Sequence, residues 1–156
     1  MKLLLCILTL LGTLVGCLSS EHRQLVAVDC LLDEGMTDSA VAMLSTMKIG
    51  DIQRCQDSAY YELLTVAAAV ETGRGCDDRQ RIDRLTLLLS NERLIAYAYH
   101  YEALVQYNKG YVFNAICDER IAEDFAKHTG DDRLKYRILT ALSLFHFEND
   151  NPRMYY

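Results

Sequence analysis

The sequence contains a single proline, Pro152, and no alternating apolar–polar run of useful length. Proline-rich linkers and half-buried β-strands are therefore both excluded. Cysteine occurs six times, yet no two cysteines form a CxxC or CxxxC pair, and the four histidines (His22, His100, His128, His146) include no HExxH-type pair. Zinc-binding spacing is absent, and no metal or other cofactor is expected. There is no nucleophile elbow and no phosphate-binding loop. Gly73-Arg74-Gly75 is a lone GxG outside any strand–turn–helix setting and reads as a turn. The carboxylate pairs Asp77-Asp78 and Asp131-Asp132 fall at helix starts, where capping is the expected role. None of these features points to an enzyme.

What the amino terminus has is a charged start at Lys2 and an apolar run from Leu3 to Gly16. A bilayer span needs about 20 residues, so this run is too short to cross one, and it matches a secretory signal. The A-x-A-like site of an ordinary signal is missing. The run ends instead in Leu14-Val15-Gly16-Cys17, which resembles the bacterial lipobox. That resemblance implies cleavage between Gly16 and Cys17, a diacylglyceryl thioether on Cys17, and acylation of the new amino terminus. The thiol is the nucleophile such a linkage requires, and stable anchoring takes more than one lipid chain. The alternative is an ordinary signal in which Cys17 is incidental. Cys6, inside the apolar run, reads as a small hydrophobe.

Residues 1–16 would form the signal, 17–20 the lipidated cysteine and a tether, and 21–156 one domain. Removing the signal takes away Lys2 and no acid, leaving 15 basic and 22 acidic side chains. This acidic balance argues against a nucleic-acid partner. The charges are interspersed, so most are expected to be solvated helix faces. Cys30, Cys55, Cys76 and Cys117 are widely spaced, and those within helical patterns are expected to be buried and free.

Glycines punctuate the domain. Gly35, Gly50, Gly73, Gly75, Gly110 and Gly130 fall between stretches of helical periodicity, as stop signals do. The stretches run over Glu21 to Glu34, Ala40 to Met47 with an N-cap at Asp38-Ser39, Ile52 to Glu71, Asp77 to Leu89, Glu92 to Asn108, Tyr111 to His128, and Asp131 to Phe147. Seven helices with short connections make an all-α domain.

Long helices joined by short turns suggest an internal repeat. Gly35 precedes Ala40 by five residues, and Gly110 precedes Ala115 by five. From Ala103 the chain reads A-x₆-G-x₄-A-x₆-A, through Gly110, Ala115 and Ala122. An offset of about 40 residues carries Ala103 to Ser143, Tyr107 to Phe147 and Gly110 to Asp150, within the range of helical-repeat periods. This spacing resembles the tetratricopeptide repeat (TPR), in which a turn glycine precedes the small residue that opens the second helix. Glu102, Gln106 and Glu119 depart from it, standing where that repeat carries large or aromatic residues. The alternative is a generic helical bundle with accidental spacing. Together with the lipobox, Asp38-Ser39-Ala40, AYYELL at 59–64 and AKHTGD at 126–131, the pattern is similar to TPR lipoproteins and to the amino-terminal region of membrane-anchored sensor-regulators of Bacteroides-like bacteria.

The resemblance implies a TPR-like α-solenoid of about seven antiparallel helices, held by lipid in the cell envelope, more on the periplasmic side than at the surface. It implies a non-enzymatic scaffold for a protein or peptide partner; the alternative is the sensory region of a signal-transduction regulator, truncated in this chain. First helices of such repeats line a groove, here through Tyr97, His100, Leu104, Tyr107 and Asn108, which helical spacing puts on one face. Tyrosine suits such a surface, being large, apolar and polar-tipped, although a tyrosine stripe also serves as core. Tyr99 and Tyr101 point elsewhere, as packing residues. The array ends within its last repeat, so Leu139, Leu142 and Phe147 are expected to lack a capping helix.

Overall fold

A computed structural model describes residues 19–52, 54–74 and 79–150. The signal segment, the cleavage site at Gly16 and Cys17, and Gly75, Cys76 and the Asp77-Asp78 helix start all lie outside the described residues. Among the described residues there are seven α-helices and no strands. They are α1 (Ser20–Asp33), α2 (Thr37–Thr46), α3 (Cys55–Glu71), α4 (Arg79–Leu88), α5 (Glu92–Asn108), α6 (Val112–Ala126) and α7 (Asp132–Asp150), with a 3-10 turn at Ile49–Asp51 between α2 and α3. None is long and apolar enough to cross a membrane.

The turns explain the boundaries. Gly110 ends α5 at φ +82°, a conformation open to glycine and costly to other L-residues. It lets the Gly110 N–H reach the Tyr107 carbonyl and the Tyr111 N–H reach the Gln106 carbonyl, so α6 starts at once. Gly35 does the same between α1 and α2, and this displaces the expected cap. With the Met36 N–H bonded to the Leu31 carbonyl, α2 begins at Thr37, and Asp38 and Ser39 lie inside its first turn. Asp38 there acts on the helix dipole rather than as a cap. Gly50 is not a helix stop: it sits within the 3-10 turn without a left-handed φ, and α3 consequently starts at Cys55 rather than Ile52.

The apolar stripes meet in one main core. Leu25, Val28 and Leu32 of α1 pack with Leu63 and Leu64 of α3, Ala98 and Tyr101 of α5, and Ile138 of α7. A second cluster holds Ala103, Ala115, Ala141 and Phe145. Ala40 and Ala115, each five residues after its turn glycine, are wholly buried, which is where a small side chain lets paired helices approach. Each helix packs on the next in sequence; α1 also packs on α3, α3 on α5, and α5 on α7. The even-numbered helices make no comparable contacts with one another. The odd-numbered helices therefore form a continuous layer, with α2, α4 and α6 outside it.

Three expectations need correction. Cys30, Cys55 and Cys117 are free but exposed, because each lies off the buried stripe of its helix. Leu142 is buried: it follows Ile138 by one turn on the face of α7 turned to α5 and α6, whereas Leu139 and Phe147 are half exposed. The 40-residue offset holds for the start of α7 but not its end. Asp150 is still helical where Gly110 makes a turn, and Ser143 is exposed where Ala103 is buried, since α7 is covered on fewer sides than α5.

Candidate binding groove and its charged wall

Helix α5 is placed by its ends. Asn91 caps it by accepting the Arg93 N–H at 2.9 Å, and Gly110 closes it. One turn apart along its inner face stand His100, Leu104 and the Tyr107-Asn108 pair. These four line one side of a groove of about 370 Å³, and α7 supplies the other side through Tyr136, Arg137, Thr140, Ala141, Leu144 and Phe145. Glu71, the last residue of α3, also lines it. The Tyr107 ring stacks on Phe145 at 4.6 Å, and its hydroxyl donates to Glu148. Asn108 is the exposed member of the four.

The fifth expected residue, Tyr97, is not in the lining. It is 1% exposed, packed edge-on against Tyr101 with ring centres 5.2 Å apart. Its hydroxyl donates to Asp33 Oδ1 at 2.5 Å and accepts from Arg137 Nη1 at 2.8 Å. Burial holds the phenol far above its ordinary pKa, so it stays a donor. Tyr97 braces the wall rather than facing a ligand. Tyr99 and Tyr101 are packing residues as expected: Tyr99 stacks on Phe125, and Tyr101 is buried with its hydroxyl on Glu71.

The α7 side of the groove was not foreseen from the sequence, although a signal for it exists. The 40-residue offset carries Tyr97 to Arg137, His100 to Thr140 and Leu104 to Leu144, and all three of those α7 residues line the groove.

Behind the groove a charged network joins the odd-numbered helices, and its members Glu71 and Arg137 reach the lining. Arg93 of α5 binds Asp29 Oδ2 at 2.6 Å and Asp33 Oδ2 at 3.2 Å on α1, and Asp131 Oδ2 at 2.7 Å ahead of α7. Arg137 of α7 binds Glu71 of α3 at 2.9 Å. Tyr60 of α3 donates to Asp29 Oδ2 at 2.5 Å. Burial opposes charge on both arginines, but Asp29 and Asp131 around Arg93, and the tyrosines, Glu71 and Asp33 around Arg137, keep both firmly protonated. Interspersed charges such as these are expected mostly on solvated faces, while Asp131 also keeps its expected place at a helix start, accepting the Leu134 N–H. Charge patterning along one helix cannot reveal that its partners lie on another.

The residues that break the repeat pattern are also paired indoors. Glu102 and Gln106 are buried, with the Gln106 amide donating to Glu102. Glu119 of α6 is 0% exposed, and its Oε1 lies 2.6 Å from His100 Nδ1. Among the described residues, no group of three or more His, Cys, Asp or Glu is arranged to hold a metal. No protein-family model, curated protein or solved structure matches the chain.

Proposed function

We propose that this protein is a lipid-anchored helical-repeat scaffold of the TPR kind, which binds a segment of a protein partner in the groove between α5 and α7. The observation that carries this reading is that His100, Leu104, Tyr107 and Asn108, singled out by helical spacing, share one groove. Its support from the fold is the layer of odd-numbered helices, in which the most extensive packing joins near neighbours in the chain, as in stacked hairpins. Aromatic and aliphatic side chains along the floor suit an apolar anchor, and the polar rim suits a peptide backbone. The role is binding rather than catalysis, and the site of action is the cell envelope, reached through Cys17.

A synthetic peptide library screened against the chain tests the groove. Leu144→Asp and Asn108→Ala should each weaken the selected peptides while leaving helicity unchanged, and equal binding by both variants refutes the reading. Tyr107→Ala is a poorer probe, because the stack on Phe145 makes it cost stability as well. The anchor has its own test: radiolabelled palmitate should enter the wild type and not Cys17→Ser.

A further inference from the structure

The floor of the groove has one polar feature whose chemistry its own contacts define. His100 is almost fully buried yet lines the groove, and its Nδ1 is occupied by Glu119. Among the described residues its other nitrogen, Nε2, has no hydrogen-bond partner. Among the described residues Glu119 Oε2 is buried without a partner, and His100 is the one group among them that satisfies this carboxyl. While the pair holds two protons, one lies between Nδ1 and Oε1, whether the carboxyl or the imidazolium carries it. In both arrangements Nε2 bears a hydrogen. Once the pair loses a proton, Nδ1–H donates to the carboxylate and Nε2 is left bare, an acceptor. Burial pushes the Glu119 carboxyl up, partly offset by His100, and this extends the range over which the second proton is kept.

The surrounding charges select what the donor can bind. Glu119 meets the ring from α6, and the charge of Asp118 acts on Glu119; Glu71 of α3 and Tyr136 and Arg137 of α7 share the groove lining with it, and Tyr101 and Tyr107 flank it on α5, with Glu148 beyond Tyr107. The positive charge of Arg137 is already engaged by Glu71 and Asp33. A ligand carboxylate at Nε2 would therefore meet carboxylates without a spare cation, whereas a neutral carbonyl would not.

Given the groove reading above, on which this rests, we infer that the ligand is a peptide segment held by a neutral backbone carbonyl on His100 Nε2–H, with an adjacent aliphatic side chain laid on Leu104, Ala141 and Phe145. Glu119 is a positioning residue, fixing which nitrogen of His100 faces the ligand.

The probes are 4-methylpentanamide and 4-methylpentanoate, which share one isobutyl group and differ in presenting a single neutral amide or a single carboxylate. They are titrated into the isotope-labelled chain, with long-range proton–nitrogen spectra reporting the His100 tautomer. The amide should shift Leu104, Tyr107 and Asn108 and bind about three- to tenfold more tightly than the acid, the worth of one hydrogen bond. That advantage should vanish at the pH where the spectra show Nε2 losing its hydrogen. It should vanish too in the double variant His100→Phe, Glu119→Leu, which removes the pair without stranding a buried charge. Equal binding, or preference for the acid, overturns the inference and leaves the groove standing. Absence of shifts at Leu104, Tyr107 and Asn108 with either probe overturns both. The wild-type comparison decides even if the double variant fails to fold.

Discussion

Arg93 and Asp29, 64 residues apart in the chain, meet at 2.6 Å, and through this contact the third odd-numbered helix holds the first. Asp29 is 5% exposed and shares its bonded oxygen with the Tyr60 hydroxyl. Stripping the guanidinium from a carboxylate in that position leaves a buried charge, which is costly even where a replacement packs well. Arg93→Met is expected to lower stability by about 2–4 kcal/mol, below the fully buried range because the arginine is partly exposed. In a background of Asp29→Leu and Tyr60→Phe the same change should cost less than half as much. Urea melts of the four chains measure this; equal costs in both backgrounds would show that the contact contributes nothing specific.

Acid should loosen the same wall. Burial pushes the Asp131 carboxyl up, but the Leu134 N–H and the Arg93 guanidinium outweigh it and hold it below the usual aspartate value. A depressed carboxyl contributes stability that is complete above its unfolded pKa of about 3.9 and lost as pH falls through its folded value. The contribution of Asp131 to the urea midpoint should therefore hold level down to about pH 5 and decline below about pH 4. Asp131→Asn keeps a capping side chain ahead of α7 and removes the charge, so its midpoint should decline less steeply with acid.

Two glycines that look alike in the sequence should respond differently to the same change. Gly110 has φ +82° with open space around its missing Cβ, so Gly110→Ala costs only backbone strain, about 1–2 kcal/mol. Gly50 also has open space but no left-handed φ, so Gly50→Ala should fall within about 0.5 kcal/mol of the wild type. Thermal melts separate the two, and matching costs would place Gly50 in a turn it does not make here.

Cys30, Cys55 and Cys117 should react with a disulfide reagent in the folded protein, since all three are free and exposed. Peptide mapping after brief labelling without denaturant checks this. Labelling that appears only in urea would return them to the core, where helical periodicity had placed them.

Those cysteines show where reading along one helix fails. Periodicity located all seven helices, gave α5 its observed limits, and marked the alanines that face a partner helix. It could not say which side of Cys30 or Cys117 would be covered, because coverage depends on helices brought in by later parts of the chain. The groove was legible on its α5 side for the same reason that α5 was: His100, Leu104 and Asn108 recur at helical spacing. Tyr97 shares that spacing but sits where Asp33 and Arg137 converge, so it became part of the wall.

By itself the sequence determined that the domain is helical, that turns fall at Gly35, Gly73, Gly110 and Gly130, and which small residues allow close packing, since all of these depend on neighbours a few residues away. Tertiary structure alone decided that Glu119 meets His100, that Arg93 meets Asp29, and that α7 completes the groove. Those pairings join helices far apart in the chain. Their energies come from burial and from charges brought together on different helices, which no single helix specifies.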